Sequence, residues 1–205
     1  LYCLKALKDE RVKCVRKARA IFGAGEEIAS DDLKQYFQRE ALPELAFTPD
    51  AEYGVCNREK GILHVELSAP ADGSRLESLH GGTVRNAVAA SARAEARCTA
   101  EECEALEALS KKMDGKFSFQ GSDGVLTAEC AGRAAHAMEP QKGRNAAARL
   151  VRLFSSCFGG EALGALWSFV DQKIGLELDG SSLGLRREDA VSGPLTVNLG
   201  VAEQD

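Results

Sequence analysis

The chain has 205 residues, enough for one or two domains and for a core that needs no disulfides. Hydrophobic residues make up 44% and charged residues 28%, which excludes long disorder, collagen and fibrous coiled coil. With 26 Lys plus Arg against 31 Asp plus Glu, the net charge of −5 lacks the basic footprint of a nucleic-acid binder. No apolar run approaches the ~18 residues of a membrane span.

Seven cysteines (Cys3, Cys14, Cys56, Cys98, Cys103, Cys130 and Cys157) form no Cys-x-x-Cys pair. Zinc ribbons and thioredoxin-type motifs are thereby excluded. An odd set of thiols among apolar and helical residues points to a reducing, cytoplasmic setting.

In chain order, Leu1 to Lys8 reads as an amphipathic helix already under way, with no initiator Met, N-cap or signal peptide. The expectation is an internal fragment of a longer protein. Val12 to Phe22 reads as a strand running into the turn Gly23-Ala24-Gly25. Ser30 is placed to cap a helix over Asp31 to Glu40, with acids in its first turn. A short strand around Leu45-Phe47 ends at Thr48-Pro49-Asp50-Ala51. Helix, strand, helix, strand suggests part of a parallel α/β sheet.

After Gly61 the texture changes. Ile62 to Ser68 alternates as a half-exposed antiparallel strand does. Ser74 to Leu79 and Ala90 to Arg97 are further strand candidates, the second ambiguous because of its alanines. Thr99 caps a helix over Ala100 to Met113, closed by Gly115. Lys116 to Gln120 and Val125 to Ala131 form a hairpin around Gly121-Ser122-Asp123-Gly124. Helices are expected over about Gly143 to Phe158 and Glu161 to Ile174, and a strand over Leu195 to Val201. The expected organisation is two domains, 1–57 and 58–205, the first α/β and the second α+β.

Several residues stand where chemistry is done. Glu26-Glu27 and Asp50 each follow an expected strand, the position at which open α/β sheets place their sites. Taken singly, a Glu pair opens many helices and an Asp after Pro fills many turns. His136 lies in the loop Gly132 to Pro140, and Asn86 lies beyond the turn Gly81-Gly82-Thr83. His64 and His80 read as structural, and three scattered histidines make no ligand cluster.

In combination four stretches resemble the zinc metallopeptidases that include aminoacylase, desuccinylase and glutamate carboxypeptidase. They are Ile21 to Glu27, Phe47 to Glu52 with Glu59-Lys60-Gly61, Gly132 to Ala147, and Gly193 to Gly200. The nearest likeness is to bacterial carnosinase-like (Xaa-His) dipeptidases. The resemblance implies a partial zinc-peptidase catalytic domain followed by a ferredoxin-like, βαββαβ-type lid domain that is incomplete at its C-terminal end.

The resemblance also implies roles. Glu26 corresponds to the general base that deprotonates a metal-bound water. Glu27 and Asp50 correspond to ligands of two zinc ions, for which manganese or cobalt could substitute. His136 corresponds to a lid histidine that stabilises the oxyanion, and Asn86 to an amide holding the substrate's carboxylate. The family's other ligands, an His-x-Asp and a bridging Asp, precede the opening helix, and its last His follows the final strand. Each zinc would keep one protein ligand from this chain. The implied activity is hydrolysis of small peptides by the parent protein, with this piece inert and neither nucleic acid nor membrane as partner. Oligomeric state stays open. Two alternatives stand beside it: an N-acyl amino acid deacylase or desuccinylase of the same fold, and a non-catalytic association module.

Overall fold

Alanine alternates with charged residues along Ser91–Arg97, and this settles the ambiguous segment as a strand. Ala92, Ala94 and Ala96 turn inward while Arg93, Glu95 and Arg97 turn outward, as the two-residue pleat requires. A computed structural model of the chain describes residues 1–26, 30–50, 53–71 and 73–205. By backbone contacts the chain divides into two units, Leu1–Val55 and Cys56–Asp205.

The first unit holds helices α1 (Tyr2–Asp9) and α2 (Asp31–Phe37), neither with a buried residue. Lys5 and Asp9 pair one helical turn apart, and Arg19 reaches Glu40 at 3.2 Å and the Tyr36 hydroxyl at 3.0 Å. The expected strands at Val12 to Phe22 and Leu45-Phe47 are not formed. A strand needs a neighbour to take its N–H and C=O groups, and the described residues of this unit supply none. Their apolar side chains are accordingly exposed, Val15, Phe22 and Phe47 among them. Helix α2 ends at Phe37, three residues before the expected Glu40. Ser30 sits before it in left-handed backbone and makes no side-chain cap.

The second unit is built on a five-stranded sheet. Strands β1 (Leu76–Gly81), β2 (Ser91–Arg97), β3 (Lys116–Ser122) and β4 (Val125–Ala131) precede two short ones, β5 (Glu188–Asp189) and β6 (Gly193–Pro194). The last, β7 (Ala202–Gln204), completes the sheet order β3-β4-β2-β1-β7, with every neighbouring pair antiparallel. Helices α3 (Ala100–Ser110), α4 (Ala146–Phe158) and α5 (Gly164–Lys173) complete the unit. Because β2 and β3 are both antiparallel to β4, they run parallel to each other with β4 between them. β2-α3-β3 is therefore a split βαβ unit. The place beside β2 is filled by β1, which comes before the unit in sequence rather than after it. The observed order is thus ββαββα, with β7 returning to the far edge of β1.

Helix α4 lies over the sheet and supplies seven buried residues to the core. Leu150, Val151, Leu153 and Phe154 are fully buried against Leu79, Ala94, Ala96 and Ala128. Each such side chain contributes about 1.5–3 kcal/mol of transfer free energy. The sheet is rich in alanine, so the helix approaches closely: a Cβ on Gly81 would lie 2.7 Å from that of Ala147. Charged pairs cover the other face of the sheet, with Arg97 on Glu77 and Arg93 on Glu95.

Helix α3 starts on a capping box, as Thr99 predicts: its hydroxyl accepts from Glu102 N and Glu102 accepts from Thr99 N. Arg75 clamps Glu102 through two 2.7 Å bonds and lies over the Phe158 ring.

Three further expectations differ. Ile62 to Ser68 is not a strand; its apolar residues are exposed and no strand among the described residues pairs with it. Glu161 to Ile174 is not one helix, because Gly164 adopts φ +80° and divides a 3₁₀ turn from α5. Leu195 to Val201 pairs as loop rather than ladder: Val197 N reaches Leu178 O, and the Asn198 side chain reaches Ala87 O. Only after it does β7 join the sheet, pinned by Gln204, which accepts from Trp167 Nε1 and donates to Leu76 O.

Candidate functional site

Three segments meet at one end of the sheet: the loop from β1 to β2, the loop from β4 to α4, and the stretch before β7. Residues 86–90 run antiparallel to 132–137. Val88 N donates to Ala135 O, Ala137 N to Asn86 O and Gly132 N to Ala90 O, at 2.9, 2.8 and 2.7 Å. Ala87 stands opposite His136. Asn86 and His136, fifty positions apart in sequence, are therefore carried on adjoining backbone, both exposed.

Close backbone approach holds this junction. Gly82 has φ +75°, and a Cβ there would sit 1.9 Å from Gly200 O. A Cβ on Gly132 would sit 2.0 Å from Arg144 O. Asn145 is the knot. Its Oδ1 accepts from Ala148 N at 3.0 Å and caps α4, while its Nδ2 donates to Leu199 O at 2.7 Å. Helix α4 consequently begins at Ala146 rather than Gly143. Asn198 Nδ2 adds a bond to Ala87 O at 2.8 Å. Sequence reasoning gave Asn145 and Asn198 no role; an Asn before an alanine-rich amphipathic run is a cap signal that could have found the first.

The His136 ring has a defined hydrogen-bond state. Its Nδ1 accepts from Met138 N at 3.2 Å. A neutral imidazole that accepts at Nδ1 carries its proton on Nε2, so the ring offers an Nε2–H donor. The Asn86 side-chain amide has no hydrogen-bond partner among the described residues and is free to bind.

The acidic candidates belong to the first unit. Glu26 and Asp50 are both exposed, and Glu27 lies outside the described residues. The turn that precedes Glu26 is held by Asp32, whose carboxylate accepts from Ala24 N at 2.5 Å and Gly25 N at 3.1 Å. The Ala24 N–H foremost, with those of Leu33 and Gly25, holds the Asp32 carboxyl below the usual carboxylate range. Asp32 was missed in the sequence because an acid in the first turn of a helix is read as a dipole partner. No group of three His, Cys, Asp or Glu side chains that could hold a metal is found among the described residues. No helix there is long and apolar enough to cross a membrane.

Comparison with known proteins finds similarity to proteins named as dipeptidases. No family model matches the chain. It is 30% identical to "Putative dipeptidase YtjP" of Bacillus subtilis (strain 168), over 97% of this chain and 45% of that protein. It is 28% identical to "Beta-Ala-Xaa dipeptidase" of Lactobacillus delbrueckii subsp. lactis, over 95% of this chain and 43% of that protein. With "Putative dipeptidase SH1171" of Staphylococcus haemolyticus the identity is 27%, over the whole chain and 46% of that protein. The chain thus spans about half the length of the curated relatives it matches. Along nearly all of its length it is similar to proteins named as dipeptidases.

Proposed function

We propose that these 205 residues are part of a dipeptidase, with Cys56–Asp205 acting as a lid over the substrate and the first unit belonging to the catalytic domain. Similarity to named dipeptidases along nearly the whole chain is the observation that carries this reading. The same names favour a dipeptidase over the N-acyl deacylase alternative. A cytoplasmic setting fits seven free thiols.

His136 is the oxyanion donor in this scheme. As water adds to the scissile carbonyl, negative charge grows on its oxygen, and a fixed Nε2–H lowers the energy of that state more than of the substrate. The bond from Met138 N keeps the tautomer in place, so no proton has to move before the donor acts. Asn86, on the adjoining segment, offers its free amide to the substrate's terminal carboxylate. Glu26 takes the proton from the attacking water and returns it to the leaving amine.

Zinc is the metal the resemblance implies, with manganese or cobalt as substitutes. The donor set of this chain does not fit a complete centre. Glu27 and Asp50 offer one carboxylate to each of two ions, whereas a catalytic zinc takes three protein ligands. The longer protein would have to supply the remaining ligands.

The test is an assay of that longer protein, with and without added zinc, on free dipeptides and on N-acetyl and N-succinyl amino acids. Hydrolysis of the dipeptides alone is the expected result. Hydrolysis of the acylated amino acids alone, or of nothing, overturns the reading.

A further inference from the structure

Arg133, Arg144 and Arg149 converge on a cleft of about 330 Å³ in the second unit, bounded by Pro140, the turn at Gly175–Leu178 and Val197–Leu199. His136 does not line it. Two carboxylates share the walls, and both already have partners. Asp114 accepts from Arg144 at 3.1 Å and from Arg149 at 3.3 Å, so one negative charge serves two positive ones. Glu177 accepts from Ser182 N and Ser182 Oγ, each at 2.7 Å. Arg133 is exposed and its guanidinium has no ion pair or hydrogen bond among the described residues. The cleft therefore holds an excess of positive charge in a chain whose net charge is −5.

A second hollow of about 230 Å³ adjoins the first and shares Asp114, Arg149 and Leu176 with it. Its floor is apolar: Leu109, Met113 and Leu176, with the stems of Lys112 and Arg152 at its rim. A cationic mouth beside an aliphatic floor matches one class of molecule. We propose that this double cavity binds a small carboxylate bearing an aliphatic tail, separately from the site at His136. The carboxylate meets the free guanidinium of Arg133 and the N–H groups that Arg144 does not spend on Asp114. The tail passes over Leu176 to Leu109 and Met113. Each methylene it buries tightens binding about three- to fourfold.

Titration of the longer protein that contains these residues with 4-methylpentanoate, acetate and 4-methylpentanamide, followed by calorimetry or NMR, tests this. The expected result is saturable, millimolar binding of 4-methylpentanoate, with acetate and the amide each at least about tenfold weaker. Arg133→Gln, at an exposed side chain without partners, should weaken 4-methylpentanoate at least about fivefold. Leu176→Ala should weaken 4-methylpentanoate and leave acetate unchanged. No saturation by about 100 mM, equal binding of acid and amide, or full affinity in Arg133→Gln overturns the proposal.

Discussion

Asn145 ties the start of α4 to Leu199 through a 2.7 Å bond from its side-chain amide to the Leu199 carbonyl. The same side chain caps the helix through Ala148 N. One residue thus secures both the helix that packs over the sheet and the segment that packs on the Asn86 loop. Asn145→Ala should lower stability by about 2 kcal/mol, from a lost cap and an unpaired carbonyl. Asn145→Asp keeps the cap acceptor but not the donor and should fall between the two. Urea denaturation of the three proteins checks this order.

Glu102 gives the second unit a pH-dependent clamp. Its bonds to Arg75, then to Thr99 N, hold its carboxyl down to about 2, below the usual 4.5. The folded state therefore binds this proton less readily than the unfolded one, and the clamp acts at full strength above about pH 4.5. Its contribution is lost as pH falls from there through about 2. Glu102→Gln should be less stable than the wild type at pH 7. The gap between the two proteins should narrow between pH 5 and pH 2. Thermal melts across that range measure it, and a gap that stays constant would assign the clamp's contribution to packing instead of charge.

The thiols should divide by environment. Burial pushes Cys98 up to about 12 and Cys130 up to about 11, and raises Cys157 as well. Cys3, Cys14 and Cys56 are exposed. Iodoacetamide reacts with thiolates, so at pH 8 the three exposed cysteines should label first and Cys98 and Cys130 last. Peptide mapping by mass spectrometry over a time course reads this directly.

Sequence reasoning succeeded where local signals carried the structure. The Thr99 cap, the hairpin around Asp123-Gly124 and the amphipathic run of α4 each depend on neighbours within a few residues. It fell short where a segment's partner lies far away or is not supplied by this chain. Val12 to Phe22 and Ile62 to Ser68 have strand-like patterns, yet a pattern makes no sheet without an adjoining edge. Leu195 to Val201 has the β-rich composition of a strand, but Asn198 and Gly200 are committed to the loop at Arg85–Ala87. At the candidate site, His136 and Asn86 could be named from their motifs. Their adjacency could not, because it rests on long-range backbone pairing. Asp32 and Asn198 act by holding other groups in place, and no motif advertises that work; Asn145 does the same, and only its cap role has a local signal.

In the proposed reaction His136 donates to the developing oxyanion of a dipeptide bond. Steady-state kinetics of His136→Ala in the longer protein, with the dipeptide it hydrolyses best, tests this. A fall in kcat of about 10²–10³-fold with a much smaller change in KM is expected, as for loss of an oxyanion donor. A variant that keeps its kcat and loses only substrate affinity would contradict it.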